Sequence, residues 1–189
     1  VGRDGRLSSM ALANALCDGL VAGGAKVSNI GCGPTPMLYY ASISLKAGGA
    51  IQVTGSHNPP THNGFKMMMN GAVFFGDDIQ ELGTISANGP EERFGGSMQT
   101  TPIFNAYINR LVAGANAGNY NVIWDCGNGA SGPATIAATN KLSGKHTVLF
   151  GDIDGHFPNH HPNPVDPKTL AMLRQSVNEA EADLGIGFD

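Results

Sequence analysis

The sequence predicts an α/β protein made of two consecutive α/β/α units with mainly parallel sheets. Three observations carry this. Short apolar runs of strand length alternate with apolar residues at helical spacing, in the order β-α-β-α twice over. The 27 glycines among 189 residues are too many for a helical bundle and lack the period of collagen, but they suit tight strand–helix junctions. With 41% apolar and 14% charged residues the chain is globular rather than disordered. A chain of this length buries roughly 70% of its unfolded surface without needing disulfides.

In the first unit, expected over residues 1–92, Ser8-Ser9 offers N-cap oxygens to a helix carrying Leu12, Ala15, Leu16 and Leu20 at helical spacing, which Gly23-Gly24 stops. Lys26 to Ile30 reads as a strand and Gly31-Cys32-Gly33-Pro34 as a turn. Thr35-Pro36 supplies N-cap and N1 for a helix to about Ala47. After Gly48-Gly49, Ala50 to Thr54 is a strand. Phe65 to Met69 and Ala72 to Phe75 flank Asn70-Gly71, a strong hairpin signal, with the three methionines expected in strand packing. Asp78 caps a short helix to about Ala87, and residues 88–96 form the expected linker.

The second unit is expected over residues 98–189. Thr101-Pro102 starts a helix with Ile103, Tyr107, Ile108 and Leu111 on one side. Tyr120 to Cys126 is a strand, Pro133 to about Leu142 a helix, and His146 to Phe150 a further strand. A long loop covers Gly151 to Val165. Asp166-Pro167 then caps a helix with Leu170, Leu173 and Val177, and Leu184 to Phe188 is a last apolar strand leading to Asp189. In such sheets ligands sit at the carboxyl ends of the strands, where both Ser56 and Asp189 fall.

Several classes of function are disfavoured. The net charge is −4 with no basic stripe, which argues against nucleic-acid binding. Cys17, Cys32 and Cys126 are odd in number and widely spaced, so a reducing cytoplasm is the expectation rather than a disulfide framework or zinc site. No apolar run approaches the ~20 residues of a membrane span, and no signal-peptide pattern is evident. Val1 opens directly into Gly2-Arg3-Asp4-Gly5-Arg6 and an apolar run ends on Asp189, so the chain reads as a fragment.

The most informative stretch is Thr54-Gly55-Ser56-His57-Asn58-Pro59-Pro60, followed by Asn63-Gly64-Phe65-Lys66. Taken locally it is a polar turn of turn-forming residues. A serine hydrolase would want a Gly-x-Ser-x-Gly elbow, which is absent. Neighbouring side chains on an extended chain point apart, so His57 need not be the base for Ser56.

The whole string resembles the phosphoserine loop of the α-D-phosphohexomutases, the bacterial phosphomannomutase/phosphoglucomutase type in particular. Three more stretches resemble the family in the same order: residues 1–6, Phe157-Pro158-Asn159-His160-His161-Pro162-Asn163-Pro164, and Gly185-Ile186-Gly187-Phe188-Asp189. The resemblance implies the first two domains of a four-domain enzyme, truncated at both ends. It implies that Ser56 carries a phosphate and passes it to a hexose phosphate, giving a 1,6-bisphosphate that turns over and returns its other phosphate. His57 would touch the reacting sugar phosphate. Lys66 would be a general acid/base, a task suited to a lysine in a desolvated or cation-crowded site. The family holds Mg²⁺ with an Asp-Gly-Asp-x-Asp loop and the serine phosphate. Here only the first of those aspartates, Asp189, is present, so Ser56 and Asp189 form a partial metal site. Mannose and glucose phosphates are the implied partners, a cytoplasmic monomer the implied form, and negligible activity the expectation for this stretch alone.

Four further readings complete the set. Gly127-Asn128-Gly129-Ala130-Ser131-Gly132 satisfies Gly-x-Gly-x-x-Gly after a strand, with Asp152 ~20 residues on, which makes a dinucleotide-binding oxidoreductase domain the alternative from another class. A non-catalytic binding module is the second alternative. The histidines and prolines of 156–164 read as a rigid loop at the domain junction, and Arg3, Asp4 and Arg6 as structural residues ordering the approach to the site.

Overall fold

The computed structural model describes residues 1–89, 92–115 and 118–189. Its elements run in the order β1 (Gly2–Arg3), α1 (Ser9–Ala22), β2 (Lys26–Asn29), α2 (Thr35–Ser44), β3 (Gly49–Val53), β4 (Phe65–Met69), β5 (Ala72–Phe74), α3 (Asp77–Ala87), β6 (Ser97–Thr100), α4 (Phe104–Val112), β7 (Asn121–Asp125), α5 (Gly132–Thr139), β8 (Lys145–Leu149), α6 (Ala171–Glu179) and β9 (Leu184–Gly187).

Among the described residues the strands form three sheets. One has the order β1-β3-β4-β5, the second pairs β2 with β6, and the third has the order β8-β7-β9. The pairs β1–β3, β2–β6, β7–β8 and β7–β9 are parallel, while β3–β4 and β4–β5 are antiparallel. A bridge from Arg3 to Cys32 joins the end of β1 to the segment after β2. The mainly parallel α/β architecture is therefore as the alternating pattern dictates. The Asn70-Gly71 hairpin turn also forms, with φ of 51° and 80° at its two central residues, the left-handed values that a tight hairpin requires.

β1 and β6 are strands that the sequence pattern did not reveal. Residues 97–100 are all exposed, so they carry no apolar alternation to mark them, yet they align with Lys26–Asn29 in parallel register. The flanks of the expected linker are also tied down. Arg93 N donates to Ala22 O at 2.9 Å, and a Cβ at Gly96 would collide with Val21 O. Pro90 and Glu91, within that linker, lie outside the described residues.

Several expected caps are placed differently. Ser8 precedes α1 without a side-chain cap bond, because the Ser8 and Ser9 hydroxyls accept from Asn63 Nδ2 at 2.9 and 2.8 Å, and Ser9 donates to Asp4. Pro34 holds the N-cap position of α2 in extended geometry, which moves Thr35 and Pro36 into the first turn. Asp78 lies inside α3, preceded by Gly76 at φ 60°. Asp166 closes a turn instead of capping α6, taking Lys168 N on its carboxylate and Thr169 N on its carbonyl.

The principal apolar cluster contains Met37 and Ala41 of α2, Ile103, Tyr107 and Ile108 at α4, and Ala134 of α5. Tyr40 lies 6.0 Å from Tyr107, ring to ring. This cluster sits between helices of the two halves of the sequence. Burying such side chains contributes roughly 1.5–3 kcal/mol apiece for the larger ones.

Candidate active site

β3 enters the site buried, with Gln52 1% and Val53 0% exposed, and the chain then turns sharply. Thr54 N donates to Gly64 O, and Thr54 Oγ1 accepts from Ser56 N at 3.0 Å. Gly55 has to be glycine for a steric reason: a Cβ there would lie 2.6 Å from the Arg6 guanidinium and 2.7 Å from His62 O. Ser56 follows at φ 51°, a left-handed conformation that a serine holds only when its surroundings enforce it.

Arg6 and Asp4 provide that enforcement. Arg6 is 2% exposed, and its guanidinium donates to Ser56 O (2.6 Å), Asn58 O (2.7 Å), Pro59 O (2.7 Å) and His62 O (3.0 Å). Its Nε lies 3.3 Å from Asp4 Oδ2, which also accepts from Gly55 N at 3.3 Å. A planar guanidinium with donors in fixed directions can satisfy several carbonyls of one loop at once. The Arg-Asp-Gly-Arg segment thus orders the serine loop by direct contact. Its sequence neighbours gave no sign of how deeply Arg6 is buried.

The other side of the site comes from β9. Phe188 N donates to Asp125 O at 3.0 Å, and the Phe188 ring stacks on Trp124 with centroids 6.2 Å apart. These contacts aim Asp189 at the serine loop. Ser56 Oγ donates to Asp189 Oδ1 at 3.2 Å, and His57 Nδ1 lies 3.0 Å from Asp189 Oδ2. His57 and Asp189 side chains are 45% and 50% exposed, so the pair faces open solvent. Lys66, on β4 opposite Gln52, lines the same cleft. It is exposed, so burial does not desolvate it.

The cleft has a volume of about 620 Å³ and is bounded by Asp4, Arg6, Ser56, Lys66, Phe157 and Asp189 among others. All four residues singled out for chemistry, Ser56, His57, Lys66 and Asp189, are thus brought to one place. Asp189 offers carboxylate oxygens of the kind Mg²⁺ takes, and Ser56 a hydroxyl oxygen beside them. Among the described residues no group of three or more His, Cys, Asp or Glu is gathered as a metal site. The donor set fits Mg²⁺ in kind and falls short of it in number.

The remaining motifs have structural partners. Gly127 and Asn128 take left-handed φ of 51° and 58°, and a Cβ at Gly127 would come within 3.3 Å of His160 and Pro162. Asn128, 6% exposed, donates to Asp152 O and accepts from Asn159 Nδ2 at 2.7 Å. The loop 151–165 therefore covers the glycine turn where a dinucleotide pyrophosphate would need room. The three histidines of this loop do not converge. His160 Nε2 lies 3.0 and 3.1 Å from the two oxygens of buried Asp125, while exposed His156 pairs with Asp154. The His156 amide, and then its ring, hold the Asp154 carboxyl below the usual carboxylate range.

Comparison with known proteins gives a consistent result. Residues 1–93 match the family model "Phosphoglucomutase/phosphomannomutase, alpha/beta/alpha domain I", and residues 105–189 match "alpha/beta/alpha domain II" of the same family. The phosphomannomutase/phosphoglucomutase of Pseudomonas putida is 40% identical over 190 residues, covering 100% of this chain and 41% of that protein. The phosphoglucomutase of Neisseria meningitidis is 38% identical, with 100% and 42% covered. The crystal structure of a phosphoglucomutase/phosphomannomutase family protein from Burkholderia thailandensis superposes with a TM-score of 0.93 at 38% identity, covering 100% of this chain and 43% of that one. The chain spans about two fifths of the length of the relatives it matches.

Proposed function

Because the chain belongs to the phosphoglucomutase/phosphomannomutase family, we propose that it is the phosphate-carrying half of an intramolecular phosphotransferase that interconverts hexose 1-phosphates and hexose 6-phosphates. The observation that carries this reading is the meeting of Ser56 and Asp189, each at the carboxyl end of a strand in a different half of the sequence.

In this reading Ser56 is phosphorylated at rest. A free hydroxyl of the bound hexose phosphate attacks the phosphorus, its O–P bond forms, and the Ser56 O–P bond breaks to leave a 1,6-bisphosphate. After the sugar turns over, Ser56 Oγ attacks the other phosphate and regenerates the phosphoserine. In each transfer the proton that the attacking hydroxyl loses is balanced by the one the departing oxygen takes up, and Asp189, within hydrogen-bond reach of Ser56 Oγ, orients the serine hydroxyl. Lys66 serves the substrate hydroxyl as general acid/base, and its place on the cleft wall supports that role. His57, whose Nδ1 lies 3.0 Å from Asp189 Oδ2, serves as a contact to the reacting sugar phosphate. Asp189 and a phosphate on Ser56 would be the residues of this chain that hold Mg²⁺, which, with further ligands, would neutralise charge on the moving phosphoryl group.

The division into units over 1–92 and 98–189 belongs to the same reading, with β6 bridging it. So do mannose and glucose phosphates as substrates, the monomeric state and a cytoplasmic location. No described helix is long and apolar enough to cross a membrane. Phosphate-monoester chemistry demands barrier reductions of ~20 kcal/mol or more, and a site this open to solvent does not exclude water. The 189-residue chain alone is therefore assigned negligible turnover. Conversion of glucose 1-phosphate to glucose 6-phosphate by the full-length protein, without turnover by the 189-residue chain, is the expected result. Absence of conversion by the full-length protein would sink the mutase reading.

A further inference from the structure

The Arg6 guanidinium is gripped from both halves of the molecule. On one side it holds four carbonyls of the loop 56–62. On the other, the Phe157 ring from the second half lies over it, with the ring centroid 5.3 Å from Cζ. Two residues before Phe157, Gly155 packs so closely that a Cβ would lie 2.7 Å from Gly5 O and 2.8 Å from Leu7 N. The turn 155–157 thus sits directly on the segment that carries Arg6. A cation against an aromatic face is held most firmly when desolvated, as this one is.

We propose that Arg6 is a positioning residue for Ser56, and that the Gly155–Phe157 turn seats it, so that the phosphate-carrying loop takes its working shape only when the two halves are docked. Arg6 touches no reacting atom. It acts through the backbone carbonyls that set the direction of Ser56 Oγ, in a loop whose serine already sits at φ 51°. A lysine at this position keeps the charge and loses the planar fork, so it cannot satisfy four carbonyls from one point. Misplacement of a reacting group by about 1 Å can cost 100-fold in rate.

This inference rests on the mutase reading, and the experiment separates the two. Full-length wild type, Arg6→Lys and Phe157→Leu are compared for Ser56 phosphorylation by glucose 1,6-bisphosphate and for kcat and KM with glucose 1-phosphate, alongside thermal unfolding. Arg6→Lys is expected to lose on the order of 100-fold in kcat with KM within about threefold of wild type. Phe157→Leu keeps apolar volume and removes the π face; a fall in kcat of about fivefold is expected at unchanged KM. Millimolar guanidinium chloride should restore part of the rate of Arg6→Ala. Wild-type kcat in either Arg6→Lys or Phe157→Leu overturns the proposal. Should Arg6→Lys fail to fold, Phe157→Leu decides the matter on the same criterion. If the wild type itself takes no phosphate on Ser56, it is the mutase reading that fails.

Discussion

The Ser56 hydroxyl donates to Asp189 across 3.2 Å, although 133 positions separate the two in sequence. Two strand ends create this meeting. β3 ends in the serine loop and β9 ends in the aspartate, and the α2–α4–α5 apolar cluster packs helices of the two halves together. Everything proposed about the chemistry depends on that joint keeping its geometry.

The backbone at Ser56 gives a first prediction. A left-handed φ costs a non-glycine residue roughly 1–2 kcal/mol. Ser56→Gly is therefore expected to be about 1 kcal/mol more stable than Ser56→Ala in urea unfolding, while neither carries phosphate. Equal stability of the two would mean that the loop is not held in this conformation in solution.

A second prediction concerns the pair that pins the 151–165 loop. Asp125 is 2% exposed and receives His160 on both oxygens as well as Gly127 N. Removing one partner of a buried pair leaves an uncompensated carboxylate, so His160→Ala should destabilise the protein by about 3 kcal/mol. A loss below about 0.5 kcal/mol, the range of ordinary surface substitutions, would contradict the pairing.

Much of this was legible in advance, and the exceptions have physical causes. Ser56, His57, Lys66 and Asp189 were marked by turn residues, strand ends and the family resemblance, and the fold places them together. β6 escaped because an exposed edge strand carries no apolar period. The grip of Arg6 escaped because its partners are backbone carbonyls 50 to 56 residues away, which no side-chain pattern encodes. Ser8 and Ser9 carried the right residue type for a cap but were recruited by Asn63 and Asp4.

A third prediction follows from the β8–α5 approach. A Cβ at Gly132 would collide with Gly151 O, a backbone atom that cannot rotate away. Gly132→Ala should cost about 2 kcal/mol by forcing the two segments apart. Gly19, where nothing lies within reach of a Cβ, is the control: Gly19→Ala, inside α1, should gain up to about 1 kcal/mol.

The thiols predict the alkaline limb of stability. Burial pushes Cys17, Cys32 and Cys126 above the ordinary thiol value of 9.0. The folded state then holds these protons more tightly than the unfolded state. Stability from this source is fully present below the ordinary thiol value and is lost as pH rises through the higher folded values. Unfolding midpoints in urea should thus be lower at about pH 10 than at about pH 8, and replacing the three cysteines with alanine should flatten part of that decline.

Metal binding provides a further check. With no group of three or more metal-ligating side chains gathered among the described residues, the 189-residue chain should show no saturable stabilisation by millimolar Mg²⁺, since ligand stabilisation requires a dissociation constant below the concentration used. A clear rise in Tm with Mg²⁺ would indicate a more complete site than these residues form.

The claim that Ser56 carries the phosphate is tested most directly by intact mass of the full-length protein after incubation with glucose 1,6-bisphosphate. The account predicts an addition of about 80 Da, one phosphoryl group, on the wild type and none on Ser56→Ala. An unmodified wild type, or an addition that survives Ser56→Ala, would contradict it.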